Sequence, residues 1–182
     1  GSPLRWIKPL LSSFSLVLLS CELVEPELDN PLDIDYNSSK GITPPALIFS
    51  PDQLTVNSGT NTTLKVYALE VNEVAGAHVQ IKYDKNKVQL SSVSQGDWLV
   101  DGGQNPVFFF QNDAASGTLD IYYSVLGDSE NLSGSGVVAY TIFSISAPGE
   151  STVQITNATK IVDKDNQEIQ LNGLGEVVIN AQ

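Results

Sequence analysis

Chemistry requires reactive side chains within reach of one another, and this chain is sparing with them. It has one histidine, His78, and one cysteine, Cys21. A nucleophilic triad needs a base beside its Ser or Cys, and a structural zinc needs four ligands. With one His and one Cys no zinc cluster of the usual Cys/His type can be built, no triad motif surrounds either residue, and a lone cysteine excludes an internal disulfide framework. Carboxylates are plentiful: 21 Asp plus Glu against 9 Lys plus Arg give a net charge of -12. Acid–base hydrolysis of a sugar needs two carboxyl groups about 5–9.5 Å apart in a cleft. Most of these acids fall in turns, and neither a G-x-S-x-G elbow nor a P-loop occurs. Catalysis is not expected. A protein that holds a phosphate backbone needs a basic stripe, so the acidic balance excludes nucleic acid as the main partner. Two acidic clusters invite comparison with calcium loops. Asp29–Asp35 lacks the Gly and closing Glu of an EF-hand, and Asp163-Lys164-Asp165-Asn166-Gln167 offers too few oxygens. They read as a spacer and a hairpin turn, with no metal and no cofactor.

Binding is the chemistry that is left. Trp98, Tyr122, Tyr67 and Phe108 to Phe110 would offer stacking platforms for a polysaccharide if exposed. A coplanar exposed pair would favour sugar, and one Tyr among polar residues would favour protein. Trp98-Leu99 is expected inside.

The elements that position these groups come in three parts. Residues 1–21 read as a tag remnant, Gly1-Ser2, followed by a signal peptide. Arg5 and Lys8 precede an apolar run from Leu10 to Leu19, too short to span a bilayer, which needs roughly 20 apolar residues. The run ends Leu18-Leu19-Ser20-Cys21, which resembles the bacterial lipobox, so Cys21 is the expected lipidation site. The membrane is then met only through lipid chains. That places the protein in a bacterial cell envelope, anchored and extracytoplasmic. Residues 22–45 carry six acids before Asp35 is passed, no base until Lys40, and prolines at 26, 31, 44 and 45. Such a segment is expected to stay extended as a solvated, disordered tether.

From Ala46 to Gln182 the pattern has period two. Leu64, Val66 and Ala68 alternate with polar neighbours, as do Val79, Ile81 and Tyr83, and Leu119, Ile121, Tyr123 and Val125. Further runs lie at Val88–Leu90, Val107–Phe110, Val137–Ile145, Val153–Ile155, Ile169–Leu171 and Val177–Ile179. About nine strands separated by Gly, Asn, Asp and Ser predict an all-β, antiparallel sandwich.

Several stretches in order resemble one family. Ala77-His78-Val79-Gln80-Ile81-Lys82-Tyr83-Asp84-Lys85-Asn86-Lys87-Val88-Gln89-Leu90 is similar to the third and fourth strands of cohesin modules. Gln95-Gly96-Asp97-Trp98-Leu99 matches their next step. The Gly136–Phe143 strand and the Asn157–Asn166 hairpin match the last third. Lys85 departs from the family's usual Pro. The resemblance implies a nine-stranded jelly roll that binds a protein, a calcium-loaded dockerin among the candidates, on one flat sheet face. It also implies where: outward residues of the third, fifth and sixth strands and the loop beyond. Those are His78, Gln80, Asn112, Tyr122, Ser124 and, past Gly127, Asp128. His78 is expected to be a plain exposed imidazole, and Tyr122 the anchor. The alternative is a carbohydrate-binding module of the related sandwich class.

Overall fold

The computed structural model describes residues 1, 30–100, 106–126 and 131–182. Twelve strands follow one short helix, α1 (Ile34–Ser39): β1 (Ala46–Ser50), β2 (Gln53–Val56), β3 (Asn61–Val74), β4 (Gly76–Tyr83), β5 (Val88–Gln95), β6 (Val107–Asp113), β7 (Thr118–Ser124), β8 (Leu132–Ile145), β9 (Gly149–Ile155), β10 (Lys160–Val162), β11 (Gly173–Leu174) and β12 (Glu176–Ala181). They form two sheets. One has five strands in the order β11-β1-β3-β8-β5. The other has seven, β2-β12-β9-β4-β7-β6, with β10 attached to β4. This is a β-sandwich, as the alternation predicts.

Period two places the core. Val79, Ile81, Leu119 and Ile121 have no exposed surface, and Tyr83, Tyr123 and Val125 are buried with them. They meet Leu47, Phe49, Leu64, Val66 and Phe143 from the facing sheet. Full burial of side chains of this size contributes about 1.5–3 kcal/mol each. Trp98 and Leu99 are inside, on a single 3-10 turn. The strand beside them must carry Gly136, since a Cβ there would lie 2.6 Å from Trp98 Cβ. The buried Thr141 hydroxyl is satisfied by the Leu64 carbonyl at 2.8 Å.

Three expectations need correction. Ile169–Leu171 is not a strand; Val162 forms an isolated bridge with Glu168, and the Ile169 amide donates to the Ile161 carbonyl. Instead residues 46–50, 53–56, 160–162 and 173–174 supply four, so twelve strands are described where about nine were expected. Ala46-Leu47-Ile48-Phe49 is buried on both sides, with Leu47 and Phe49 in the main core and Ala46 and Ile48 in a smaller cluster outside the sheet. A strand covered on both faces shows no alternation. Second, the sandwich is not wholly antiparallel, because β1 pairs β11 and β12 pairs β2 in parallel.

The third correction concerns the tether. Residues 30–45, the described part of the 22–45 segment, are folded onto the sandwich rather than extended in solvent. Asp33 caps α1 through its carboxylate and the Tyr36 amide, 3.0 Å apart. Tyr36 donates its hydroxyl to Asp52, Asn37 is buried and donates to the Pro31 carbonyl, and Asn172 donates to the Pro44 carbonyl. Ile42 packs over Ala46, Ile48 and Leu69. Charge counting overlooked that an acid before a helix caps it and favours its N-terminus. Cys21 and the signal-peptide reading lie outside the described residues.

Candidate functional site

The outer face of the seven-stranded sheet is built by cross-strand register. β4 pairs β7 antiparallel with His78 opposite Tyr122, Gln80 opposite Asp120 and Lys82 opposite Thr118. β7 pairs β6 with Tyr122 opposite Phe109 and Ser124 opposite Val107. β10 adds Lys160 opposite His78. Since paired residues share a face, Phe109, Tyr122, His78 and Lys160 form one row across four strands.

The three rings of that row stack on one another. His78 and Tyr122 have centroids 4.6 Å apart at 8°. Tyr122 and Phe109 are 4.8 Å apart at 17°. These separations match the spacing of adjacent strands, about 4.7–4.9 Å. The rings therefore stand on edge, each flat side against its neighbour. A sugar platform needs a ring face open to solvent, and Tyr122 has neither side free.

A polar network fixes the row. Asp120 Oδ1 lies 2.6 Å from His78 Nε2 and accepts from Gln80 Nε2 at 3.1 Å. Thr156 donates its hydroxyl to Gln80 Oε1 at 2.9 Å, and the Gln80 amide donates to Thr159 Oγ1. That last bond fills the gap where β4 changes neighbours from β10 to β9. The side chains of His78 and Asp120 are 29% and 23% exposed. A pair that wet contributes about 1 kcal/mol or less, so its main effect is orientation.

At one end of the face, Lys82 donates to the Ser116 carbonyl and to Thr118. Asp113 accepts from the Ser116 hydroxyl, and this bond, against an opposing desolvation and with lesser help from the Ser116 and Ala115 amides and Lys82, holds its carboxyl below the usual range. At the other end the face runs into an open hollow lined by Gly76, Ser124, Val162 and the Asp163–Asn166 turn. In that turn Asp163 Oδ1 accepts from the amides of Asp165 and Gln167. It is a hairpin turn closed by its own carboxylate. Among the described residues no group of three or more His, Cys, Asp or Glu is placed to hold a metal.

The structure brings four of the expected residues together on this face: His78, Gln80, Tyr122 and Ser124. Asn112 is not with them. It stands opposite Leu119, on the core side of the sheet, where its Oδ1 accepts the Tyr83 hydroxyl at 2.8 Å. Parity decides this, since Asn112 is one residue out of step with Phe109 and Gln111. Gly127 and Asp128 lie outside the described residues. His78 is not a plain exposed imidazole, being stacked and paired with a carboxylate. Two members were missed, Asp120 as the hub and Phe109 as the end of the row. Asp120 carried a signal in its outward parity. Phe109 carried none, because Val107–Phe110 is apolar throughout.

This geometry has parallels among known proteins. The cohesin domain family model matches residues 49–178. Similar structures include a non-cellulosomal cohesin from the hyperthermophilic archaeon Archaeoglobus fulgidus, 15% identical with a TM-score of 0.62, covering 75% of this chain and 90% of that one. A type II cohesin domain from the cellulosome of Acetivibrio cellulolyticus is 18% identical with a TM-score of 0.61, covering 74% and 93%. A type I cohesin–dockerin complex from Clostridium thermocellum gives 14% identity and 0.61, covering 75% and 94%. At these identities the likeness is one of fold. No curated protein matches the sequence. The stretch matched by the family takes in every residue of the aromatic row and its polar network, and the chain belongs to the cohesin domain family.

Proposed function

We propose that this chain is a non-catalytic docking module that holds a dockerin-type protein on the outer face of β4, β7 and β6. The observation that carries the reading is the row Phe109–Tyr122–His78, locked upright by Asp120 and Gln80 on a flat sheet. A pre-set row loses little entropy on binding, and an aromatic at its centre is the usual type of interface anchor. Membership of the cohesin family supports the class of partner, and similar structures include complexes with dockerins. The stacking favours protein over polysaccharide, because both flat sides of Tyr122, the ring at the centre of the row, are covered by its neighbours.

The test is calorimetry of the chain against a panel of calcium-loaded dockerins and, in parallel, soluble polysaccharides. A dockerin that binds the wild type and loses about 30-fold with Tyr122→Ala supports the reading, 2 kcal/mol being the usual threshold for a central anchor. Chelating calcium should abolish binding by unfolding the partner while leaving this chain's melting temperature unchanged. Polysaccharide binding that survives Tyr122→Ala, with no dockerin bound, would move the function to carbohydrate binding.

We also propose that Cys21 carries the lipid that holds the module in a bacterial envelope, on the strength of Leu18-Leu19-Ser20-Cys21. Cys21→Ser should leave the membrane fraction and lose lipid labelling. Retention without lipid would refute this.

A further inference from the structure

The aromatic row ends at an open edge. Among the described residues, β6 is the outermost strand of its sheet and pairs only with β7. Natural sheets protect such edges with lysines, prolines or bulges inside the strand. β6 has none of these: its sequence is Val107-Phe108-Phe109-Phe110-Gln111-Asn112-Asp113, uncharged until the last residue. Of the seven large hydrophobic residues exposed among those described, three lie on it, Val107 at 44%, Phe109 at 55% and Phe110 at 44%. One side of the Phe109 ring stacks on Tyr122, and the other faces past the edge.

We propose that a second copy of this chain covers this edge, β6 pairing with β6 antiparallel about a two-fold axis through Phe109. Symmetry restricts the register. A two-fold axis that makes neighbouring strands antiparallel is perpendicular to the sheet, so outward residues pair only with outward residues. Three central registers then compete. Centring on Phe108 sets Pro106, which has no amide to donate, opposite Phe110. Centring on Phe110 sets Asp113 against Val107 and Gln111 against Phe109. Centring on Phe109 pairs Phe109 with itself, Phe108 with Phe110 and Val107 with Gln111. Pro106 then falls opposite Asn112 at the very end of the ladder rather than beside its centre, and Asp113 lies beyond the paired stretch. The stacked row then continues across the seam as His78, Tyr122, Phe109 and the same three from the second copy. Both docking faces point the same way, so the pair would present two sites to a partner carrying two modules. This proposal does not depend on what those faces bind.

Sedimentation of the full chain tests it. The wild type should show a monomer–dimer equilibrium, while Phe109→Lys and Phe110→Lys, on opposite sides of the strand, should each weaken it at least 10-fold. Both copies carry a net charge of -12, so raising salt to about 0.15 M, where the screening length is about 8 Å, should strengthen the dimer. Disulfide trapping reads the register, in a Cys21→Ser background. Phe109→Cys should oxidise to a covalent dimer at least 10-fold faster than Thr152→Cys on the same face of β9, with unchanged circular dichroism. A wild type that stays monomeric at every concentration overturns the proposal. So does an association of full strength in both lysine variants, or equal trapping at positions 109 and 152.

Discussion

The two outer faces of the sandwich are treated in opposite ways. On the five-stranded sheet, Ala46, Ile48 and Leu69 point away from the main core and are nevertheless buried, because Ile42 and the chain from residue 30 lie over them. Contact is close at Gly173, where an added Cβ would meet Ile42 at 3.1 Å. On the seven-stranded sheet no segment lies over β4 and β7 among the described residues. Their outward side chains are half-exposed and are ordered by one another through stacking and the Asp120 network. One face is finished by its own chain. The other is rigid but uncovered, which suits a surface that awaits a partner. The contrast teaches that exposure alone does not mark a docking face; order without cover does.

The largest effect expected tests the covered face. Removing residues 30–45 strips Ile48 and Leu69, and at about 1.5–3 kcal/mol for each large side chain the loss should be roughly 3–6 kcal/mol. Thermal or urea unfolding of the truncated chain would measure it. Limited proteolysis should likewise spare α1 and the rest of residues 30–45. An unchanged melting temperature in the truncated chain would break the comparison, since the segment would then be dispensable cover.

The open face should show its effect in affinity and little in stability. Tyr122→Ala is expected to cost about 2 kcal/mol or more in partner binding, whereas Tyr67→Ala on the other sheet should leave affinity within error. Equal losses at both positions would show that the partner does not distinguish the faces.

One step inward on the same strand, the sign should reverse. The Tyr123 hydroxyl is buried with no hydrogen-bond partner among the described residues, and burial pushes its pKa far up. An unsatisfied buried hydroxyl costs about 1–3 kcal/mol. Tyr123→Phe should therefore raise the melting temperature and leave affinity alone. A fall would reveal a partner for that oxygen.

The smallest effect is electrostatic. Asp113 titrates below its ordinary value of 3.8, chiefly because the Ser116 hydroxyl favours its charged form. Its contribution to the β6–β7 turn is thus complete above that ordinary value and is lost as pH falls through the lowered one. Acid melts of Asp113→Asn should lack this part of the pH dependence. Identical acid profiles for variant and wild type would show that the turn holds without the charge.

The sequence by itself determined which residues of a strand share a face, because side chains alternate with period two whatever the strand pairs with. That was enough to send Val79, Ile81, Leu119 and Ile121 inward and to leave His78, Gln80, Tyr122 and Ser124 outside. It also marked the hairpin between Ile161 and Ile169, whose turn is closed by a local carboxylate, and the resemblance of several stretches in order already pointed to the family. Alternation cannot read a strand that is apolar throughout. Val107–Phe110 was therefore legible as an apolar run and not as a face, and Ala46–Phe49, buried on both sides, offered no alternation to mark it as a strand. Only the tertiary structure decided that Phe109 stands beside Tyr122 while Asn112 turns inward, since register depends on which residues of two distant segments exchange hydrogen bonds. It alone decided that residues 30–45 fold. Their acids and prolines argue for an extended chain, and what overrides them is a surface, Ala46, Ile48 and Leu69 on the far side of β1 and β3, that exists only once the sheet has formed.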